Sequence, residues 1–166
     1  MEISFLGDSG FEIKGQDASV VIKETIVIEG VGGETFTISG PGEYEVSGVR
    51  VFGIKGGKGT LYLVEIDNLS LAHLDNLDRK LEQSQVEELS SADILLLPVN
   101  GEGRINAETA TEVVAQLEPF IVIPFGSIDK FLEQMGEENV RREKKLKVSK
   151  SSLPGDTEVV VLERSK

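Results

Sequence analysis

With 166 residues the chain has the usual length of one domain and can bury about 70% of its extended surface without disulfide or metal staples, so a single domain over 1–166 is expected. Its 29 acidic and 17 basic residues leave a net charge of −12, which repels polyphosphate backbones and anionic membranes and argues against nucleic-acid and membrane partners. Cysteine is absent and histidine occurs once, at His73, which excludes disulfides, thiolate nucleophiles and sulfur-ligated metals.

From the start to about Leu74 the sequence reads as short strands punctuated by glycine, over 3–6, 11–14, 19–22, 25–29, 35–39, 49–54, 61–66 and 69–73. Alternation and β-branched residues support these strands, and Gly15-Gln16-Asp17 and Asp67-Asn68 supply turn chemistry, so this half is expected to be a β-meander. Gly56-Gly57-Lys58-Gly59 joins two strands and lacks the Ser or Thr of a phosphate loop, so it reads as a hairpin turn. After Leu74 helices alternate with apolar strands. Ser84-Gln85-Val86-Glu87 fits a capping box for a helix through Leu89, and 92–99 is an apolar strand buried on both faces. Asn106 is positioned to cap a second helix that Pro119 ends, and 120–124 is the next buried strand. Ser127 is positioned to cap a third helix that Gly136 ends, and strands over 146–148 and 157–162 close the chain.

Strands first and β-α units after imply two sheets stacked between helices. Residues 141–150 carry six cations and one glutamate, a local charge of +5 that leaves −17 on the remainder, and read as a solvated surface pairing with the acidic majority. Residues 1–5 alternate polar and apolar instead of showing a basic and then apolar signal peptide, and no apolar run reaches membrane-spanning length, so a cytoplasmic protein is expected.

Several segments together resemble the metallo-β-lactamase superfamily, in particular its branch similar to ascorbate-6-phosphate lactonase. Residues Ile3 to Ile13 look like the family's strand, Gly-His-Ser turn and strand, with Asp8 in place of the histidine. Residues Ile38 to Val49, with Gly40-Pro41-Gly42-Glu43-Tyr44 and Ser47-Gly48, look like a hairpin of that branch, which is the most specific similarity. Leu71-Ala72-His73-Leu74-Asp75-Asn76 resembles the His-Leu-Gly-Asp segment, and Pro98-Val99-Asn100-Gly101, Ile105-Asn106-Ala107 and Ile121-Val122-Ile123-Pro124-Phe125-Gly126 follow in the family's order. The resemblance implies a shortened αβ/βα sandwich.

It also implies a degenerate site. The block in which relatives carry an Asp-Pro turn and His-x-His-x-Asp-His is missing, because the chain runs from Val20-Val21-Ile22 through Glu24 to Gly33 straight to the hairpin. The bridging aspartate of relatives falls on Asn76, one place after Asp75, and the histidine of their Pro-Met-His falls on Gly126, which has no side chain to coordinate with. The family histidine matching His73 is not a principal ligand, so His73 reads as a structural, hydrogen-bonded residue.

A catalytic zinc needs about three protein ligands and an open position for water. One histidine and no cysteine leave a nearly all-carboxylate set, better suited to calcium, magnesium or manganese, with Asp8, His73 and Asp75 as the residual trio. Asp8, His73, Asp75, Asn76, Glu102 and Gly126 are therefore expected to line a vestigial cleft without catalytic residues, metal or cofactor. The preferred reading is a catalytically inactive binding module: a homo-oligomer, a partner of an active paralogue, or a holder of a small ligand. The alternatives are a divergent metal-dependent hydrolase of phosphodiester, phosphorylated sugar or lactone, and a purely structural subunit. Strand 43–46 is a candidate edge for pairing across a two-fold axis.

Overall fold

The computed structural model describes residues 1–101 and 103–165. Nine strands come first: β1 (Glu2–Gly7), β2 (Gly10–Lys14), β3 (Ala18–Ile22), β4 (Ile26–Gly30), β5 (Thr35–Ile38), β6 (Gly42–Val46), β7 (Val49–Lys55), β8 (Thr60–Ile66) and β9 (Leu69–His73). Then come α1 (Gln83–Leu89), β10 (Ile94–Val99), α2 (Ala107–Leu117), β11 (Ile121–Gly126), α3 (Asp129–Gln134), β12 (Arg141–Glu143), β13 (Lys145–Lys147) and β14 (Glu158–Leu162). The six-stranded sheet has the order β13-β1-β2-β3-β4-β5, and the eight-stranded sheet the order β12-β14-β11-β10-β9-β8-β7-β6.

The expected meander is thus two meanders, one per sheet, divided where Ser39-Gly40-Pro41 carries the chain from β5 to β6. The turns have the anticipated chemistry. Asp67 and Asn68 both take positive φ, 52° and 63°, which twists the β8–β9 hairpin as its right-handed strands require. Gly56 N–H donates to the Gly59 carbonyl at 2.7 Å and closes the β7–β8 turn.

Two apolar layers hold the structure. Between the sheets, Ile3, Phe11, Ile13, Val20, Ile28, Val51, Leu71, Leu96, Ile123 and Val160 are all buried. On the other face of the eight-stranded sheet, Leu63, Leu95, Leu97 and Val122 pack against Leu89 of α1, Val113 and Leu117 of α2 and Phe131 of α3. Helices on both outer faces were expected. Among the described residues all three helices cover the eight-stranded sheet, and the outer face of the six-stranded sheet carries Glu12, Lys14, Glu29, Thr35 and Thr37 around a half-buried Val21–Val27 pair.

Two helix starts differ from the sequence reading. Helix α1 is capped by Glu82, whose partner in the capping box is Gln85, so Ser84 lies inside the helix. Helix α3 begins from Ile128 with no side-chain cap, because the chain leaves β11 through Ser127 already held by Val99 and Asn100 carbonyls. Asn106 does cap α2, accepting from Thr109 N–H at 2.8 Å, and Glu118 in left-handed conformation ends it before Pro119. Gly136, at φ 72°, ends α3 with the paired bonds of a Schellman motif, its own N–H to Glu133 and that of Glu137 to Leu132.

The basic run is structured. Arg141 bonds Glu143 and Glu158, Lys145 bonds Glu2, and Lys150 bonds the nearly buried Asp93, so part of the run pairs with the acidic majority as expected. Strand β13 lies one residue from the expected strand over 146–148, whereas β12 was not anticipated, because Arg141-Arg142-Glu143 carries no hydrophobic alternation to be read from sequence.

Candidate functional site

The parallel strands β9, β10 and β11 end together, and the loops that follow them form a cleft facing the β1–β2 turn. In that turn Gly7 and Asp8 both have positive φ, 96° and 53°, and Asp8 is exposed. Asp8 lines a cavity of about 460 Å³ with Lys23, Glu24 and Arg164.

His73, the last residue of β9, is buried at 2% exposure. Its Nε2 donates to the Ser9 carbonyl at 2.9 Å, and its ring stacks on Phe125 at 5.9 Å and meets the edge of Phe11 at 6.0 Å. Burial pushes its imidazolium below the ordinary value of 6.5, against the opposing pull of the Ser9 carbonyl and Asp75. His73 therefore fastens the β1–β2 turn to the sheet.

Asp75 is paired with a cation. Its Oδ1 accepts from Arg104 Nε at 3.0 Å, and Arg104 also donates from Nη2 to the Asp8 carbonyl at 3.4 Å and lies 5.1 Å above the centre of the Phe125 ring. Asn76 turns away and donates to the Thr60 carbonyl at 3.1 Å, tying the β9 end to β8. Gly126 has φ 102°, and a Cβ there would stand 2.2 Å from the Val99 carbonyl and 3.4 Å from Arg104 Nη1, so glycine is what lets β10 and the guanidinium approach. Glu102 lies outside the described residues.

Arg104 is the residue that sequence reasoning missed. Its place in the loop between β10 and α2 is set by Arg104 N–H donating to the Gly101 carbonyl and by Asn100 N–H reaching Ile105. No motif marks it. The only available signal was a lone cation in a glycine-rich loop that the resemblance placed above the cleft. Lys58, from the β7–β8 turn, approaches Gly103 beside it, and Lys58, Asp75, Asn76, Gly103 and Arg104 line a cavity of about 360 Å³.

The described residues do not fit a catalytic zinc. No group of three or more His, Asp or Glu converges among them. The residual trio forms no such group: Asp8 lines one cavity, Asp75 another, and the His73 Nε2 is already bonded. A larger cavity of about 550 Å³ lies elsewhere, between the β7–β8 turn and α1, lined by Lys55, Asp78, Arg79, Glu82 and Glu88. Its charges are mixed and it contains no His.

Comparison with known proteins agrees with this architecture. A protein from Thermotoga maritima assigned to the Zn-dependent hydrolases of the metallo-β-lactamase superfamily superposes with a TM-score of 0.82 at 24% identity, covering 98% of each chain. The metallo hydrolase Igni18 from Ignicoccus hospitalis superposes at 0.65 with 11% identity, over 99% of this chain and 96% of its own. A protein from Parabacteroides distasonis assigned as a metal-dependent hydrolase gives 0.53 at 10%, over 94% and 99%. At these identities the likeness establishes the fold. No curated protein matches the sequence. The family model described as "Beta-lactamase superfamily domain" matches residues 24–126, which run from the β3–β4 turn to the end of β11, and the chain thus belongs to the β-lactamase superfamily and carries its metallo-β-lactamase fold.

Proposed function

We propose that this chain is a catalytically inactive member of its superfamily that acts through binding, by self-association or by pairing with an active paralogue. The observation that carries this reading is Arg104. Its guanidinium already neutralises Asp75 and sits between that carboxylate, the Asp8 carbonyl and the Phe125 ring. Asp75 is thereby committed to a side-chain cation, and among the described residues no group of three His, Asp or Glu converges to hold a divalent ion. The side-chain cation fills the role of internal counter-ion and holds the β1–β2 turn against the β10–α2 loop. A small molecule suited to the adjacent cavity is an anion, since Lys58 and Arg104 face it against Asp75.

Elemental analysis by plasma mass spectrometry, on protein purified without chelator, tests the reading. Wild type is compared with a variant combining His73→Ala and Asp75→Ala. No stoichiometric metal in either is the expected result. Near-stoichiometric metal that disappears in the variant would overturn the reading and restore that of a metal-dependent hydrolase acting on a phosphodiester, phosphorylated sugar or lactone.

A further inference from the structure

The strand orders give the sandwich two open sides of opposite charge. On one side the six-stranded sheet ends on β13 and the eight-stranded sheet on β12, and only Lys144 separates these strands along the chain. On the other side the sheets end on β5 and β6. Edge strands present unpaired N–H and C=O groups to any strand that can approach. The first side carries Arg142, Lys144 and Lys147, and the second Glu43 and Glu45, all exposed. Among the described residues none of these five forms an intramolecular ion pair.

Register fixes the face that each presents. Tyr44 is paired with Val51, which lies in the layer between the sheets, so Glu43 and Glu45 point to the helix-bearing face. Arg142 is paired with Val161, which lies in the layer beneath the helices, so it points to that same face. Strand β6 of one copy set beside β12 of another therefore brings acid and base together on one face of a continued sheet. Neighbouring β5 exposes Thr35, Phe36 and Thr37 and carries no charge to oppose the approach of β13. Pairing β6 with its own copy about a two-fold axis would instead set Glu43 opposite Glu45, and like charges directly opposite are unfavourable.

We propose that a second copy of this chain docks head to tail, its basic β12/β13 side against the acidic β5/β6 side, extending both sheets across the junction. This rests on the reading that the chain acts by assembling, and it names the surface. Because the two patches differ, the contact is heterologous and generates rings or open chains.

Sedimentation velocity over a concentration series tests it on the full chain. Four samples are needed: wild type, Glu43→Lys with Glu45→Lys, Arg142→Glu with Lys144→Glu, and an equal mixture of the two variants. Wild type is expected to form multiples of 18.0 kDa. Each variant alone should associate roughly tenfold more weakly or worse, and the mixture should recover assembly because each reversed side matches the other. The acidic-side variant moves the net charge from −12 to −8, two units for each Glu→Lys, so relief of general repulsion would strengthen its association instead. Circular dichroism checks that both variants fold, and Glu43→Gln with Glu45→Gln replaces the reversal if it does not. A wild type that stays monomeric, variants that assemble unchanged, folded variants whose mixture fails to recover, or a closed dimer lost only in the acidic-side variant would each overturn the proposal. Sedimentation does not read metal content, so this failure is distinguishable from that of the non-catalytic reading.

Discussion

The floor of the cleft and its rim are built by different rules. Every residue of β10 is buried, and β11 is buried from Ile121 through Phe125, so the floor touches protein on both faces. On the rim, Asp8 is exposed, and Asp75 and Arg104 keep a quarter and a fifth of their side-chain surface in water. Floor residues are constrained by volume and rim residues by what they hold. Rim side chains can therefore be exchanged at little cost to the packing beneath, which is how one fold can carry different sites.

Leu96 lies in the middle of β10, fully buried between the sheets. Leu96→Ala removes side-chain volume where rigid strands on either side limit collapse, and a loss of about 2–5 kcal/mol in urea unfolding is expected. A loss well under about 1 kcal/mol would show that the floor is not packed as described.

His73 stands where floor meets rim, and its prediction is smaller and depends on pH. Burial holds its folded-state value below the ordinary 6.5, so the unfolded chain binds the proton first as pH falls. Its contribution to stability is complete above about pH 6.5 and is lost as pH falls through 6.5 toward the depressed folded value, with a slope of at most about 1.4 kcal/mol per pH unit. Thermal melts of wild type and His73→Gln between neutral and mildly acidic pH should converge on acidification, because only wild type loses this term. Curves that stay parallel would mean that the imidazole is not held neutral against Phe125.

Much of the floor was legible in the sequence and much of the rim was not. Ile94-Leu95-Leu96-Leu97 reads as a strand buried on both faces because it is a short apolar run without polar alternation, and Glu43 to Val46 reads as an edge because a meander leaves its terminal strands unpaired. Asn106 was readable as a cap because its side chain bonds the backbone three residues on, a local event. The cap at Glu82 is equally local but was missed because Ser84 is the more usual capping residue type, whereas the bare start of α3 follows from how the chain leaves β11. The insertion of Arg104 between Asp8 and Asp75 depends on loops brought together from Asp8 to Arg104, and no local pattern encodes such a distance.

Arg104 gives the smallest expected effect and the sharpest line between the two regions. Its partner Asp75 is partly solvated, so the ion pair contributes under about 1 kcal/mol, and stacking on Phe125 adds about 0.5–1 kcal/mol, part of which a long apolar chain retains. Arg104→Met keeps the stem, removes the charge and leaves Asp75 to water, so urea unfolding should report a loss of about 1 kcal/mol or less. A loss as large as that for Leu96→Ala would mean that the guanidinium holds the floor together through the β1–β2 turn. Floor and rim would then be one cooperative unit, and the tolerance of this fold for a rebuilt site would need a different physical reason.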